Sequence, residues 1–403
     1  MKKNSFDVVV VGGGMVGLSL SLGLARAGVP VALIERARLS DMAAAHFDGR
    51  GSAIAAGSRR ILDGLGLWDG GADQAEPILE IRVADGTSPL FLHYDHKEVG
   101  DGPLGWIVEN AVTRRALAAA ANESSLRTFD GAELAGCVFG EDTAVLELAD
   151  GQSVTARLVV AADGRESPLR DAAGIDAVRW RYPQTGIVCA VHHEVPHRGI
   201  AQEHFLPAGP FAILPMTENR SSIVWTERND LAPDILALND KAFAEELRRR
   251  FGGFLGRIDI GPMRWSYPLS AVHSKRYIAP RLALAGDSAH AIHPIAGQGF
   301  NIGLRDVAAL AEVIIDTLRL GLDPGTMTAL ERYERWRKPD NMMMIGVTDI
   351  LNRLFSNDIT PVRIARDLGL AAVDQAPPLK KVLMRHAMGL IGDLPRLTRG
   401  EPL

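Results

Sequence analysis

The chain has 403 residues, and its 44 lysines and arginines against 49 aspartates and glutamates give a formal net charge of −5. This balance excludes the strongly basic footprint of a nucleic-acid-binding protein, so no nucleic-acid partner is expected. The two cysteines, Cys137 and Cys189, are far apart and form no Cys-x-x-Cys pair. They predict neither a zinc site nor a disulfide framework, and they suit a reducing cytoplasm.

The N-terminal stretch could imitate a signal peptide or a membrane span, because Lys2 and Lys3 precede an uncharged run over residues 8–25. However, Asp7 interrupts the approach, glycines are frequent within the run, Arg26 ends it, and no Ala-x-Ala-like cleavage site closes it. We therefore expect neither a leader nor a spanning helix, and we interpret the stretch as the first strand and helix of an α/β fold.

The same stretch predicts a dinucleotide-binding turn. Residues 7–17 read DVVVVGGGMVG, an apolar strand that runs into Gly-x-Gly-x-x-Gly, and a helix and a second apolar strand follow. Gly12 permits the tight turn, Gly14 lets the backbone approach a pyrophosphate, and Gly17 lets the helix pack on the strand. Glu35 ends the second strand, where its carboxylate can accept a hydrogen bond from a ribose hydroxyl.

Helices and strands continue to alternate through the next part of the chain. The patterns predict, in chain order, a short helix over 58–65, strand-like residues 78–93 with an Asp-Gly turn, an Ala-rich helix over 112–121, and a hairpin over 143–161.

A second candidate site follows the strand predicted over 157–162. This strand ends at Asp163, and ligands bind beyond strand ends in open α/β sheets. Ser167 and Pro168 suit the N-cap and the first position of the next helix. Taken alone, the pair Asp163-Gly164 is better explained as an ordinary turn than as a ligand site.

The middle of the chain changes character. Residues 184–228 are rich in β-branched and aromatic side chains with interspersed prolines, which predicts antiparallel strands, and residues 241–251 are helical in pattern. A mostly antiparallel block therefore separates two regions in which strands and helices alternate.

A third candidate site follows the strand predicted over 281–285. Asp287, just past its end, could hold a polyol hydroxyl of a bound cofactor, and Gly297 and Gly299 would keep side chains away from a flat ring. A long amphipathic helix over 301–320 follows, and its N-terminal amides would favour negative charge.

Two histidines near this third site could instead be ligands of a metal ion. His290 and His293 are three residues apart and close to Asp287. Pro294 and the glycines argue against a regular helix that would align them, and no third strong ligand is evident. We therefore predict no metal.

The three motifs, in this order, resemble the flavin-dependent aromatic hydroxylases of the p-hydroxybenzoate hydroxylase type over nearly the whole chain. Further strings resemble the ubiquinone-biosynthesis branch of that family. They read WxYxQ at 180–184, FLPxGPxAxLP at 205–215 and HPxAGQGxNxGxxD at 293–306.

The resemblance implies an α/β fold in which a Rossmann-like FAD-binding domain is interleaved with a mostly antiparallel β-sheet substrate domain, followed by a C-terminal helical segment. It implies an FAD-binding domain over 1–75, 106–180 and 276–330. The substrate domain is expected over 76–105 and 181–275, and the helical region over 331–403.

The resemblance also implies which residues contact the cofactor. Arg50 matches an arginine near the FAD pyrophosphate and the incoming nicotinamide, Asp163 matches the motif that serves both FAD and NAD(P)H, and Asp287 matches the ribityl-contacting aspartate. The full set of implied positions is Gly12, Gly14, Gly17, Glu35, Arg36, Arg50, Arg114, Asp163, Gly286, Asp287, Pro294, Gly297, Gln298, Gly299 and Asn301.

Some positions depart from the family pattern or have another explanation. Gly51 and Ser52 replace the Ala-Ile that often follows the loop arginine, and Ser288 replaces a common alanine. None of these changes threatens FAD binding. Arg114 is explained equally well as a solvated helix arginine.

The implied activity is that of an FAD-dependent monooxygenase in ubiquinone biosynthesis. NAD(P)H would act as a transient reductant, O2 would form a flavin C4a-hydroperoxide, and one oxygen would pass to the ring of a polyprenylated phenol. The alternatives are a flavin-dependent prenyl-chain reductase, a hydroxylase of a small soluble aromatic, and a non-catalytic flavin scaffold. Catalytic side chains, the ring position and the oligomeric state stay open.

A prenylated substrate implies an apolar tunnel and a nearby membrane. Core packing explains the candidate tunnel residues better than a tunnel does, so none is named as a substrate contact; they are Val188, Phe205, Leu206, Phe211, Ile213 and Leu214. Apolar residues with basic neighbours over 342–355 and 379–383 suit either core helices, a membrane surface or partner proteins. We expect a cytoplasmic protein, with peripheral contact to the inner face of the membrane and a ubiquinone-biosynthesis complex as further possibilities.

Overall fold

The computed structural model describes residues 4–44, 46–86, 88, 90–100, 102–261 and 263–403. Its strands are β1 Ser5–Val11, β2 Val31–Glu35, β3 Gly51–Ala55, β4 Glu76–Ile78, β5 Glu80–Asp85, β6 Phe91–Asp95, β7 Gly105–Glu109, β8 Arg127–Asp130, β9 Leu134–Phe139, β10 Ala144–Leu148, β11 Ser153–Ala161, β12 Ala177–His193, β13 Ile200–Leu206, β14 Gly209–Met216, β15 Arg220–Arg228, β16 Ile258–Ile260, β17 Trp265–Ser274, β18 Ile278–Ala279, β19 Leu282–Leu284 and β20 His290–Ala291.

The α-helices connect and cover these strands. They are α1 Met15–Arg26, α2 Leu39–Ala43, α3 Ala56–Gly64, α4 Asn110–Glu123, α5 Pro168–Ala172, α6 Ala232–Ala237, α7 Asp240–Phe251, α8 Gly299–Arg319, α9 Met327–Phe355, α10 Thr360–Asp374, α11 Pro377–Ala387 and α12 Arg396–Arg399. Short 3-10 turns lie at Asp69–Gln74, His96–Glu98, Gly286–Ser288 and Ile295–Gly297.

A parallel sheet forms the nucleotide-binding half of the fold. Its strand order is β18-β19-β11-β1-β2-β8, and the hairpin of β9 and β10 extends it beside β11. Strands β19, β11, β1, β2 and β8 all pair in parallel. Val8, Val9 and Val10 of β1 are fully buried in the core that includes side chains of α1 and α8, and each such side chain contributes about 1.5–3 kcal/mol by burial. The predicted α/β class with a Rossmann-like sheet is confirmed.

A second, mostly antiparallel sheet has the order β20-β17-β12-β15-β14-β13-β5-β6, with β16 beside β12. Because side chains alternate across a strand, this sheet has two distinct faces. The outer face packs on α7 through Trp225 and Phe243. The inner face is turned toward α9, α10 and α11. Phe205 stacks on Phe355 of α9 with ring centroids 4.1 Å apart, and inner-face side chains share clusters with Leu370 of α10 and Met384 of α11.

This division corrects part of the predicted tunnel. Leu206, Phe211 and Ile213 pack on the outer face against the core shared with α7, so they cannot line a tunnel on the inner face. Phe205 and Leu214 have the opposite parity and belong to the inner face. The register of each strand determines which of these residues lie on the inner face, because a shift of one residue moves a side chain to the other face.

Several element boundaries differ from the predictions. A third sheet of order β3-β7-β4 was not predicted. The long amphipathic helix begins at Gly299, two residues before the predicted start. The C-terminal region is helical as predicted, in α9 through α12. Among the described residues, no helix is both long and apolar enough to cross a membrane.

Candidate active site

The three sequence motifs meet at one edge of the parallel sheet. Val11 of β1 pairs with Ala161 of β11, and Ala161 pairs with Leu284 of β19. On the other side, Val11 pairs with Ile34 of β2. The carboxyl ends of these parallel strands therefore lie side by side, and the loops after them share the edge where ligands bind in such sheets.

The glycine turn is built by close backbone contacts. Gly12 has φ +104°, and a Cβ there would lie 2.3 Å from the carbonyl oxygen of Ala162. A Cβ on Gly17 would lie 1.9 Å from the carbonyl oxygen of Gly12. By contrast, a Cβ on Gly14 would meet nothing within 4 Å. Gly12 and Gly17 are thus required by packing, whereas Gly14 faces open space at the start of α1.

Glu35 occupies the predicted strand end, but its carboxylate already has partners. One oxygen accepts a hydrogen bond from the amide of Gly13, and the other accepts one from the amide of Ala37 at 2.8 Å. The side chain is thereby fixed against the glycine turn. Each carboxylate oxygen can accept a second hydrogen bond, so the ribose contact stays a prediction. Arg36 is exposed beside it.

Asp163 lies in the loop after β11 and caps the next turn. Its Oδ2 accepts a hydrogen bond from the amide of Leu169 at 3.3 Å, while its buried Oδ1 has no partner among the described residues. Burial raises the pKa of this carboxyl above its usual value. Ser167 caps α5 with Pro168 at its first turn, as predicted.

The fully buried Arg170 links the second motif to the third. Its Nη1 donates to the carbonyl oxygen of Arg165 at 2.9 Å and to that of Ser288 at 3.1 Å. Across the same gap, Arg165 donates from Nε to the carboxylate of Asp287 at 2.8 Å. Asp287 is 45% exposed, so its carboxylate remains open to a ligand. Neither arginine was singled out from the sequence.

A buried charge cluster on α8 and α9 holds the loop of the third motif, which carries Gly286 and Asp287. Asp306, fully buried on α8, accepts hydrogen bonds from the amide of Gly286 at 3.0 Å and from Nε of Arg337 at 2.9 Å. His290 and Asn341 also donate to this carboxylate. Burial opposes ionisation, but His290 and Arg337 outweigh it and hold the pKa of Asp306 far below its usual range.

His290, one of the two histidines of the rejected metal alternative, contacts the carboxylate of Asp306. His293 is also fully buried, and burial lowers its pKa to about 4. No group of three or more His, Cys, Asp or Glu side chains suited to a metal ion is found in the part of the chain that the structure describes.

The turn before α8 presents backbone rather than side chains. Pro294 and Gly299 are exposed, and a Cβ on Gly299 would meet nothing within 4 Å. Gly297 has φ +62°, and its Cβ position lies 3.1 Å from the Cβ of Ala53 on β3. Gln298 is buried and accepts a hydrogen bond from Asn301 at 3.2 Å.

Asn301 does not face the open side of this turn. Its Oδ1 accepts from the amide of Ala55 at 2.9 Å, and its Nδ2 donates to the carbonyl oxygen of Ala53 at 2.7 Å. The side chain is fully buried and clamps β3 to the start of α8. A contact of this side chain with an isoalloxazine ring is therefore not supported, and its role is to position the turn.

In the loop before β3, the carboxylate of Asp48 contacts two predicted arginines, Arg50 of the same loop and Arg114 of α4. Asp48 accepts hydrogen bonds from Arg50 at 2.6 Å and from Arg114 at 3.1 Å. Burial opposes ionisation of Asp48, but Arg50 and then Arg114 outweigh it, so its pKa is lowered. The Arg50 guanidinium also lies 5.2 Å from the ring centroid of Tyr267. Arg114 is thus held in a cluster instead of being free in solvent.

These features fit an FAD molecule. Room for a pyrophosphate exists at Gly14, where α1 begins without a side-chain cap, and helix N-termini attract phosphate groups. The turn at Gly299 is also open, since a Cβ there would meet nothing within 4 Å. The unpartnered oxygen of Asp163 is an acceptor that lacks a donor within the described chain, as expected where a ligand hydroxyl completes the site.

Comparison with known proteins agrees with this geometry. Residues 5–345 match the family described as FAD binding domain. The chain therefore belongs to this FAD-binding family, and the resemblance seen in the sequence is confirmed.

The chain is also similar to individual relatives and to a solved structure. The chain is 52% identical to ubiquinone hydroxylase UbiL of Rhodospirillum rubrum, over 98% of this chain and 93% of that protein. It is 35% identical to the 3-demethoxyubiquinol 3-hydroxylase of Escherichia coli K12, over 97% of this chain and 100% of that protein. The crystal structure of p-nitrophenol 4-monooxygenase PnpA from Pseudomonas putida DLL-E4 shares the fold, with a TM-score of 0.80, 19% identity, and coverage of 96% of this chain and 99% of that one.

Proposed function

We propose that this chain is an FAD-dependent monooxygenase that hydroxylates the aromatic ring of a polyprenylated phenol in ubiquinone biosynthesis. The observation that carries the proposal is the meeting of three motifs at the carboxyl edge of the parallel sheet, where the loops that carry Gly14, Asp163 and Asp287 follow the neighbouring strands β1, β11 and β19. The names of the relatives that match along the whole chain support the substrate class.

The chain's own residues would bind and orient FAD. Amides at the start of α1 would hold the pyrophosphate next to Gly14, and Asp287 would accept a ribityl hydroxyl. The amides at the start of α8, beyond Gly299, would stabilise negative charge on the reduced ring. When bound and reduced, the flavin supplies the activation of O2, and we propose NAD(P)H as the reductant.

The partial exposure of Arg50 supports a role in binding an anionic group near this site. Its side chain is 48% exposed although Asp48 accepts hydrogen bonds from its guanidinium. A phosphate or nicotinamide group can therefore reach the face of Arg50 that Asp48 does not cover. We propose that this face serves the FAD pyrophosphate or the incoming reductant.

The inner face of the antiparallel sheet would form one wall of the substrate site. Its register places Ala212, Val224 and Val188 side by side on three neighbouring strands, and the row ends at Trp265 on β17. Such a wall of small apolar side chains suits a prenylated ring. It would also exclude water, which protects a reactive oxygen species from wasteful loss as hydrogen peroxide.

We further propose that the chain contacts the membrane that holds such a substrate, through the exposed surface of α9, α10 and α11. Large apolar side chains are exposed on all three helices, including Ile350, Leu368 and Val382. Exposed basic residues accompany them, including Arg353 and Lys381. Apolar residues with basic neighbours are the pattern of an interfacial surface on anionic lipid. Membership of a ubiquinone-biosynthesis complex is a further part of the proposal.

An isotope experiment tests the reaction. Purified protein is loaded with FAD and mixed with NADPH, a phenol that carries three isoprene units, and ¹⁸O2. We expect a product that contains one oxygen atom from ¹⁸O2, while the other atom leaves as water. Product formed equally well without oxygen would instead indicate a prenyl-chain reductase, and it would overturn the proposed hydroxylation.

A double variant tests the site assignment in the same assay. Arg50→Ala with Asp287→Ala removes one charge of each sign from the proposed cofactor region. We expect loss of hydroxylation together with weaker FAD binding, measured by flavin fluorescence. Arg249→Ala with Asp259→Ala, which changes exposed residues on α7 and β16, is the matched control. Full hydroxylation by the first variant would contradict the assignment.

A further inference from the structure

A single carboxyl group interrupts the apolar wall on the inner face. Glu203 lies on β13, and strand alternation gives it the same face as Ala201 and Phe205. Across the neighbouring strands its paired residues are Ala212 on β14 and Val83 on β5. The four nearest positions on this face are therefore all apolar.

Glu203 also lacks the partners that other acidic residues of this sheet have. Glu80 pairs with Arg82 and His93, and Asp85 pairs with Arg366. No hydrogen bond or ion pair is found between the Glu203 carboxyl group and the described residues, although the residue is half-buried. Burial alone raises its pKa to about 8. An uncompensated carboxyl of this kind costs stability unless a ligand completes it.

The position of Glu203 connects it to the candidate active site. Next to it on the same face, Ala201 packs in one cluster with Leu214 and with Ala53 of β3. Ala53 in turn contacts the turn at Gly297. On the other side, Phe205 stacks on Phe355 of α9. Glu203 thus lies on the wall between the cofactor-facing turn and the helices that cover the sheet.

We propose that Glu203 is the polar anchor of the substrate ring and hydrogen-bonds with its hydroxyl group. This inference rests on the proposed function, because it takes a phenol as the ligand. A protonated carboxyl offers one O–H donor and a carbonyl acceptor, and a phenol hydroxyl offers one donor and acceptor lone pairs. The two groups can therefore satisfy each other within an apolar wall.

The anchor would fix ring orientation and select for a hydroxylated ring. Apolar contacts along the wall hold a prenyl chain without fixing how the ring is turned about it. One directional hydrogen bond removes that freedom and sets which ring carbon faces the cofactor. A site built to pair a ligand hydroxyl also discriminates against an analogue that lacks it, because the protein group is then left unpaired.

A pair of matched ligands tests the inference on the FAD-loaded protein. The first is a phenol that carries three isoprene units, and the second is the same molecule without the hydroxyl. Both dissociation constants are measured by calorimetry. We expect the wild type to bind the phenol about tenfold more tightly than its deoxy analogue. Glu203→Leu should lose this preference while it binds the deoxy analogue at least as tightly, and Glu203→Gln should keep most of the preference.

Glu245→Leu is the control, because Glu245 is exposed on α7 and should leave both constants unchanged. If Glu203→Leu kept the tenfold preference, Glu203 would not be the anchor, although the proposed function would stand. If the wild type bound neither compound, the proposed function would fail instead. Should Glu203→Leu not fold, infrared difference spectra of wild type minus Glu203→Gln supply the second test. A protonated-carboxyl band that shifts on phenol binding supports the anchor, and an unmoved band overturns it.

Discussion

Asp306 accepts a hydrogen bond from the backbone amide of Gly286 at 3.0 Å, and this contact joins α8 to the loop that carries Asp287. Gly286 has φ +63°, a left-handed conformation that favours glycine. The same carboxylate accepts from Arg337 on α9. One buried charge therefore fixes the loop and two helices relative to each other, although it touches no open part of the site.

The first prediction concerns this carboxylate. Asp306→Asn leaves the buried guanidinium of Arg337 with a neutral partner, and breaking a buried ion pair typically costs about 3–5 kcal/mol. We expect the free energy of unfolding in urea, measured with excess FAD, to fall by that amount. Glu331→Gln, at an exposed position on α9, should change it by less than about 0.5 kcal/mol. Equal stability of the two variants would contradict a supporting role for Asp306.

Parts of the site that depend on local sequence could be predicted. The order strand, glycine turn, helix and strand needs only neighbouring residues, and Gly12, Gly14 and Gly17 lie where the pattern predicted. The strand ends at Asp163 and Asp287 could be predicted for the same reason. Their meeting at one edge followed from the parallel sheet that alternating strands and helices indicate.

Other parts depend on contacts between distant segments and could not be predicted. Arg170 joins two loops more than a hundred residues apart along the chain, and no local pattern marks it. The faces of β14 depend on its register, so Phe211 and Leu214 looked alike in the sequence although they lie on opposite faces. The sequence placed Asn301 correctly in the turn before α8, but only the structure shows that its side chain hydrogen-bonds to the backbone of β3.

The second prediction separates packing from ligand binding within the glycine turn. Gly14 has φ −62° and free space around a Cβ, so Gly14→Ala should fold normally yet crowd the pyrophosphate. We expect its FAD dissociation constant to rise at least about tenfold, with an unchanged free energy of unfolding in the absence of FAD. Gly17→Ala is the contrasting variant, because its Cβ would collide with backbone. It should unfold more easily, and wild-type FAD affinity in Gly14→Ala would contradict the cofactor assignment.

The third prediction concerns pH. Burial lowers the pKa of His293 from its usual 6.5 to about 4, so between these values the unfolded chain binds more protons than the folded one. The stability that neutral His293 provides is complete above pH 6.5 and is lost as the pH falls toward 4, with a maximum loss of about 3 kcal/mol.

Urea unfolding from pH 7.5 to 4 measures this contribution. We expect His293→Gln to lose less stability across the interval than the wild type, because glutamine does not titrate. His46→Gln, at an exposed position, should follow the wild-type curve. Parallel curves for wild type and His293→Gln would show that His293 does not contribute to the acid sensitivity.

The fourth prediction tests the proposed membrane surface. Ile364 and Leu368 lie one turn apart on α10 and are 56% and 60% exposed. Replacing both with Glu removes apolar contact area and adds two negative charges that anionic lipid repels. We expect this variant to bind vesicles of phosphatidylcholine with one-third phosphatidylglycerol at least about tenfold more weakly than the wild type in a flotation assay.

Leu320→Glu is the control, because Leu320 is 74% exposed at the end of α8 and lies outside the proposed surface. Since charge attraction is screened by salt, wild-type binding should also weaken as ionic strength rises. Equal binding by the wild type and the α10 variant would exclude this surface as the membrane contact.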